Sequence, residues 1–351
     1  MTNHQVTLGG GPPFSVRHGQ TILDAALRAN RWIPHNCSQG TCGTCRFRVT
    51  EGTVDHRDSA QDLLPADDRA AGFALACRST PLTDLSGELL GEVANQAPRH
   101  RLRDIAGTVV VRELVARDTI RLVIDLDEAL DFDAGQYVEL QIPGSFTRRA
   151  YSIASPPSRP SEIELHIRLT PGGLATAGWI FASLAIGERV TMQGPLGSFT
   201  LTEAQDGPII LVAGGTGLAP LKAMVLHALE HGLASELHVY HGGRREEDLY
   251  DGDVFRSLSE AGVRYVPVLS EQTWDGAQGM VTEAVEADFP SCRGMSAYIC
   301  GPPPMVAAAV RTFKKRRMRP ALIHREEFTP APFPVSVPAG SSIAAERGAE
   351  T

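Results

Sequence analysis

Three of the six cysteines crowd into nine residues. Cys37, Cys42 and Cys45 have the spacing C-x4-C-x2-C, and Cys77 follows downstream. Four thiolates can hold two bridged irons, and this is the spacing of a [2Fe–2S] cluster. Gly40 and Gly43 give a tight loop room to wrap such a cluster and aim backbone N–H groups at its sulfurs. A structural zinc site is the competing reading. Zinc knuckles favour paired C-x2-C units, and this chain has one such pair plus two outliers. A Rieske centre is excluded because the chain has no Cys-x-His pair. Cys292 has no motif around it and reads as a buried structural thiol.

Three further groups carry residues suited to nucleotides. Arg149-Ala150-Tyr151-Ser152 is preceded by Gly135-Gln136-Tyr137-Val138 and followed by HIRLTPGGLAT. Gly214-Gly215-Thr216-Gly217-Leu218-Ala219-Pro220 follows the apolar run IILVA and opens a helical stretch. Glycines at a strand-to-helix turn let the backbone approach a pyrophosphate, which then meets the helix N-terminus. Tyr298-Ile299-Cys300-Gly301-Pro302-Pro303-Pro304-Met305 follows a second apolar strand. Each group has an ordinary reading when taken alone. Arg148 and Arg149 can be a solvated strand end, Tyr151 and Phe328 plain core, and Cys300 a buried thiol.

The elements that must position these residues fall into three segments. Residues 1–95 open with a hairpin pair, HQVTL and FSVRH, then a helix, TILDAALRAN, then the cysteine loop and a strand. Residues 96–103 carry no periodicity and read as a linker. Residues 104–203 hold short β-branched runs (GTVVVREL, TIRLVIDL, QYVELQI, EIELHIRL), a pattern suited to a small antiparallel barrel. Residues 204–328 alternate apolar strands with helices, which means a parallel sheet with crossover helices. The tail, 329–351, is rich in Pro, Ala, Ser and Gly and is expected to be disordered. The fold expected is therefore multidomain, α+β followed by α/β.

Together the motifs resemble a known family. Residues 4–95, with QTILDAAL before the loop and LACRS around Cys77, look like the plant-type ferredoxin domain of oxygenase reductases, a β-grasp fold. Ser38 stands where an arginine is common after the first cysteine. The R-x-Y-S, GQYV and GGTGLAP groups resemble the FAD and NAD domains of the ferredoxin–NADP reductase superfamily, an antiparallel β-barrel and a Rossmann-like parallel sheet. The resemblance implies that Cys37, Cys42, Cys45 and Cys77 hold the cluster. It implies that Arg149 neutralises the FAD pyrophosphate, Tyr151 packs on the isoalloxazine, and Ser152 hydrogen-bonds near flavin N5. Gly172, Gly173 and Thr176 would form the phosphate turn, with His166 and Ile167 lining the adenine–ribityl side. Gly214, Gly215, Thr216 and Gly217 would cradle the nicotinamide nucleotide. Cys300, Gly301 and Pro302 would lie beside its reactive ring, and Phe328 would cover the flavin face. Glu326 and Glu327 are adjacent, and the sequence leaves open which of them reaches the flavin. The three acids of Arg244-Arg245-Glu246-Glu247-Asp248 favour NADH over NADPH.

Composition narrows the class. The 351 residues carry a net charge of −8, which argues against nucleic acid as partner. No apolar stretch approaches the length of a membrane span, and the N-terminus lacks a signal pattern, so a cytoplasmic location is the expectation. The resemblance implies electron transfer from NADH through FAD and [2Fe–2S] to a terminal oxygenase, in a domain order like that of aromatic-hydrocarbon oxygenase reductases. Near RYVPVLSEQTWDGAQGMVTEAV it looks closest to the reductases of diiron monooxygenases, with a Rieske dioxygenase as the other acceptor. Two rivals stay open: a reductase for a deoxysugar dehydrase, and a redox-sensing protein that binds nucleotide without turnover.

Overall fold

The structure is a computed structural model that describes residues 3–90 and 99–329, except 146 and 202. Residues 96–98 of the expected linker and 330–351 of the expected tail lie outside the described residues.

The N-terminal unit begins with the hairpin of β1 (His4–Leu8) and β2 (Phe14–Val16). Helix α1 (Ile22–Arg28) follows, started by the Thr21 hydroxyl, which accepts a hydrogen bond from the Asp24 N–H at 3.2 Å. Its apolar face, led by Ile22, Leu23 and Leu27, lies on a sheet formed by later strands. Those elements are β3 (Arg46–Glu51), β4 (Val54–Asp55), α2 (Ala66–Ala70), β5 (Phe73–Leu75), β6 (Thr80–Pro81) and β7 (Leu85–Leu89). The main sheet has the order β2-β1-β7-β3-β5, with β1 and β7 parallel; β4 and β6 form a separate ladder. This mixed sheet grasping a helix is the expected β-grasp.

The middle unit holds β8 (Arg103–Ala116), β9 (Thr119–Leu126), β10 (Tyr137–Gln141), β11 (Arg148–Ser152), β12 (Glu162–Arg168) and β13 (Arg189–Leu196). Every pairing in the order β11-β10-β13-β8-β9-β12 is antiparallel. A bridge from Ile153 to Leu165 joins the two ends and closes the barrel. Alternation along β12 sends Ile163, Leu165 and Ile167 into the barrel core.

The last unit runs β14 (Ile209–Gly214), α3 (Leu218–His231), β15 (Leu237–Gly243), α4 (Gly252–Ser257), β16 (Val263–Leu269), β17 (Ala277–Gln278), α5 (Val281–Asp288), β18 (Ser296–Gly301), α6 (Pro303–Lys315) and β19 (Ile323–Glu327). The sheet order is β17-β16-β15-β14-β18-β19, parallel throughout. Strands leave β14 first to one side and then to the other. The reversal opens a crevice at the C-terminal ends of β14 and β18, the place where open parallel sheets bind ligands. Among the described residues, no helix is long and apolar enough to cross a membrane.

Candidate functional site: a cysteine loop and two joined clefts

The cysteine loop lies between α1 and β3, and Cys77 lies between β5 and β6. Gly40 and Gly43 have φ of 77° and 73°, so the loop needs glycine there. The thiols form two pairs. Cys45 and Cys77 have their sulfurs 3.2 Å apart. Cys37 pairs with Cys42, and that hydrogen bond pushes the Cys37 thiol down to about 4. The Thr41 N–H also donates to Cys37 Sγ at 3.3 Å. Two pairs suit two irons, one pair each, so the donor set fits a [2Fe–2S] cluster.

A cleft of about 750 Å³ adjoins this loop. The barrel lines it with Arg149, Tyr151, Ser152, His166, Gly172, Gly173 and Thr176; the sheet unit adds Gly214, Thr216, Pro302 and Phe328. Phe328 is fixed by its N–H, which donates to the Gly301 carbonyl at 2.9 Å. The Thr176 hydroxyl bonds Thr170 N and O at 3.0 and 3.1 Å, which closes the 170–176 turn. Both glutamates of the Glu326–Glu327 pair line the cleft, but only Glu326 is buried. Its Oε2 has no partner in the protein, and burial with the nearby Cys37 raises its carboxyl to about 8. An orphaned acid at the wall of a large, partly aromatic cleft suits a heterocycle with hydrogen-bonding edges, as FAD has.

Two of the expected site residues have fully buried side chains. Ile167 does not line the cleft; it is wholly inside the barrel core. Neighbours on a strand point to opposite faces, so the side chains of His166 and Ile167 part, one toward the cleft and one into the barrel. The ring of His166 is itself engaged, Nε2 with Glu164 at 2.7 Å and Nδ1 with the Tyr250 hydroxyl at 3.1 Å. Cys300 also stands behind the cleft wall, with its thiol fully buried in the sheet core. Burial first, and the charge of Glu326 second, push that thiol well up. Its backbone comes close to the glycine turn: a Cβ on Gly217 would sit 2.1 Å from the Cys300 carbonyl oxygen. The GGTG turn and the Cys-Gly-Pro turn therefore touch, and only glycine allows it.

A second cleft, about 190 Å³, continues from the first through the shared residues Arg168, Gly214 and Pro302. Gly215, Gly242, Gly243, Arg244 and Asp248 line it. Gly215 has φ of 55°, and helix α3 starts three residues later, so backbone N–H groups face the crevice. This arrangement fits a dinucleotide.

The sequence matches the oxidoreductase NAD-binding domain family over residues 211–311, the oxidoreductase FAD-binding domain family over 106–201, and the 2Fe-2S iron-sulfur cluster binding domain family over 6–82. It is 47% identical over 328 residues to the reductase subunit of an aromatic O-demethylase from Amycolatopsis sp., spanning 92% of this chain and 98% of that protein. The chain belongs to the reductase components of oxygenase systems. The reductase is also 38% identical to the reductase component of a phenol 2-monooxygenase from Pseudomonas sp., over 91% of this chain and 92% of that one. A crystal structure of an Amycolatopsis cytochrome P450 reductase superposes with a TM-score of 0.88 at 46% identity, over 93% of this chain and 99% of that one. The reductase is an oxidoreductase that moves electrons from a nicotinamide nucleotide by way of FAD and a [2Fe–2S] cluster.

Sequence reasoning missed part of this reductase's site. Asn36, Gln39 and Thr41 of the cysteine loop line the flavin cleft, as does Tyr137. Behind His166 lies an enclosed ionic network. Lys222 Nζ reaches Glu164 at 2.8 Å and Asp251 at 2.7 Å, and Arg121 bonds both carboxylates as well. Glu164, His166 and Asp251 are close enough to hold a metal, but Lys222 and Arg121 already supply the positive charge. Lys222 had no distinguishing signal in the sequence.

Proposed function

We propose that this reductase oxidises NADH and delivers electrons one at a time to a cytochrome P450 of an aromatic O-demethylating system. One observation carries the internal part of this reading: Cys37 and Thr41 of the cluster loop line the same cleft as Tyr151 and Ser152. Cys42, by contrast, is exposed, so the cluster has one ligand toward the flavin and another toward solvent, where a partner docks. Bound FAD would supply the conversion of a hydride's two electrons into single-electron steps.

Arg149 at the cleft wall neutralises the pyrophosphate, with the turn at Gly172 and Gly173 beside it. Tyr151 and Phe328 give the ring system aromatic cover, and Ser152 places a hydroxyl against it. Thr176 holds the turn closed. The turn from Gly214 to Gly217 receives the nucleotide phosphates, with Gly301 and Pro302 opposite. Asp248 supports NADH. Its carboxylate accepts the N–H groups of Arg244 and Arg245, each at 3.1 Å, and pairs with Arg117 at 2.8 Å. Those backbone donors are engaged by the carboxylate, whose charge would repel a 2′-phosphate.

The acceptor is assigned from relatives. Identity to the O-demethylase reductase is 47%, against 38% for the phenol and 33% for the xylene/toluene monooxygenase components. A cytoplasmic location belongs to the same proposal, since reduced thiols must meet iron there. The test combines two measurements. In Cys42→Ser, NADH still bleaches the flavin while delivery to the acceptor stops; equal loss of both contradicts the order of transfer. Affinity capture from the native host yields a haem-thiolate protein. Capture of a diiron hydroxylase or a Rieske protein would refute the acceptor but leave the internal path standing.

A further inference from the structure

We propose that Tyr137 and Ser38 form a hydrogen-bonded latch that fixes the cluster loop on the flavin cleft for the one-electron step between the two centres. The proposal deepens the reading above and rests on it. Tyr137 belongs to the barrel strand β10, and its backbone pairs with Ser152 on β11. Its ring nevertheless sits in the apolar core of the cluster unit, 3% exposed, together with Leu102 and Leu196. Its hydroxyl lies 2.7 Å from Ser38 Oγ and 3.0 Å from the Asn36 carbonyl. These two residues bracket Cys37, the thiol that faces the cleft.

The donor arithmetic is tight. The phenol carries one proton and the Asn36 carbonyl can only accept, so the Ser38 hydroxyl completes the triangle as donor. Ser38 adopts φ of 51°, a left-handed backbone that a non-glycine residue adopts only against a steric cost. Gly197 is needed beneath the ring, because a Cβ there would sit 2.9 Å from Tyr137 Cδ1. The surrounding contacts hold the same seam. Arg28 grips Asp104 at 2.7 and 3.0 Å, and the Ser198 hydroxyl donates to the His35 carbonyl at 3.3 Å. The cluster unit is thus docked, and its internal electron transfer needs no swing of a domain. One electron leaves the flavin and enters the cluster; the nicotinamide nucleotide is the reductant, and no proton is required at the cluster.

The test uses anaerobic holoenzyme mixed with NADH in a stopped-flow instrument, following flavin and cluster absorbance separately. Ser38→Ala keeps the wild-type rate of flavin bleaching and the wild-type cluster content and midpoint potential, but slows cluster reduction about tenfold. Tyr137→Phe slows the same step equally, and the double variant is no slower than either single one. Hydrogen exchange of residues 36–41 accelerates in both variants. Wild-type transfer rates in both would overturn the proposal. So would additive slowing, or a shift in cluster potential large enough to account for the slowing. Failure of the underlying reading looks different: wild-type protein would then show no flavin bleaching by NADH or would bind no cluster.

Discussion

Tyr137 and Leu196 of the barrel enter the apolar core of the cluster unit, beside Ile22, Phe47 and Leu75. On its other side the same barrel presents Glu164, His166 and Arg121 to Lys222 and Asp251 of the nucleotide unit. The first seam is ring and aliphatic carbon with hydrogen bonds at its edge. The second encloses charge: Lys222 is 6% exposed and the Asp251 side chain 1%. The difference bears on function. An apolar seam with a few directed bonds places one loop against one cleft. An ionic seam joins the strand that lines the flavin cleft to the helix that follows the nucleotide turn, and the Tyr250 hydroxyl carries the contact on to His166. Buried charge is retained there at a desolvation cost that good geometry must offset.

The largest expected effect is on the ionic seam. Lys222→Met leaves two enclosed carboxylates with Arg121 as their remaining permanent cation and should cost about 3–5 kcal/mol of stability by urea unfolding. Adding Glu164→Gln should recover part of that loss; no recovery would mean the charges are not the reason. Next is Gly197→Ala, with φ of +98° and Tyr137 in the way. It should cost about 1–3 kcal/mol and accelerate hydrogen exchange in the cluster loop. If it costs more than Lys222→Met, the ranking of the two seams is reversed.

Acidity should loosen the ionic seam third. Burial holds His241, which lies on β15 against the Tyr250 ring beside this seam, down to about 4. Burial pushes Glu164 up, but the hydrogen bonds and charges of His166 and Lys222 outweigh it and keep its carboxyl below the ordinary range. Both groups titrate lower when folded, so the unfolded chain takes up their protons first and stability falls with pH. The contribution of His241 is complete above its ordinary 6.5 and is lost toward 4. That of Glu164 begins to fade below 4.5. Thermal midpoints measured from pH 8 to 4 should therefore drop, and Glu164→Gln should flatten the lower end of the curve. The smallest effect is Arg28→Leu on the apolar seam. Its partner Asp104 is 67% exposed, so the loss should be only about 0.2–1 kcal/mol. A much larger loss would make that seam ionic too.

Legibility in the sequence follows the range of the interaction. The thiol spacing was readable because one short loop supplies three ligands. Arg149, Tyr151, Ser152 and the GGTG turn were readable for the same reason; the structure brings Arg149, Tyr151, Ser152, Gly214, Gly215 and Thr216 to the two joined clefts and packs Gly217 behind them against Cys300. His166 and Ile167 were read together, and strand alternation separates them. Lys222 looked like any polar position of a helix, because its partners lie 58 and 29 residues away. Ser38 was visible only as a departure from a familiar pattern, and its partner Tyr137 is 99 residues downstream.

By itself the sequence determined the three units, their order, and the donor groups each could offer, since periodicity and motif spacing are written over a few consecutive residues. Only the tertiary structure decided which side chains face the clefts, that the Cys300 thiol is buried, and that Glu326 rather than Glu327 is buried. It alone showed that the cluster loop forms part of the flavin wall. Those outcomes depend on which faces pack together once distant strands have paired, and no local pattern carries that information.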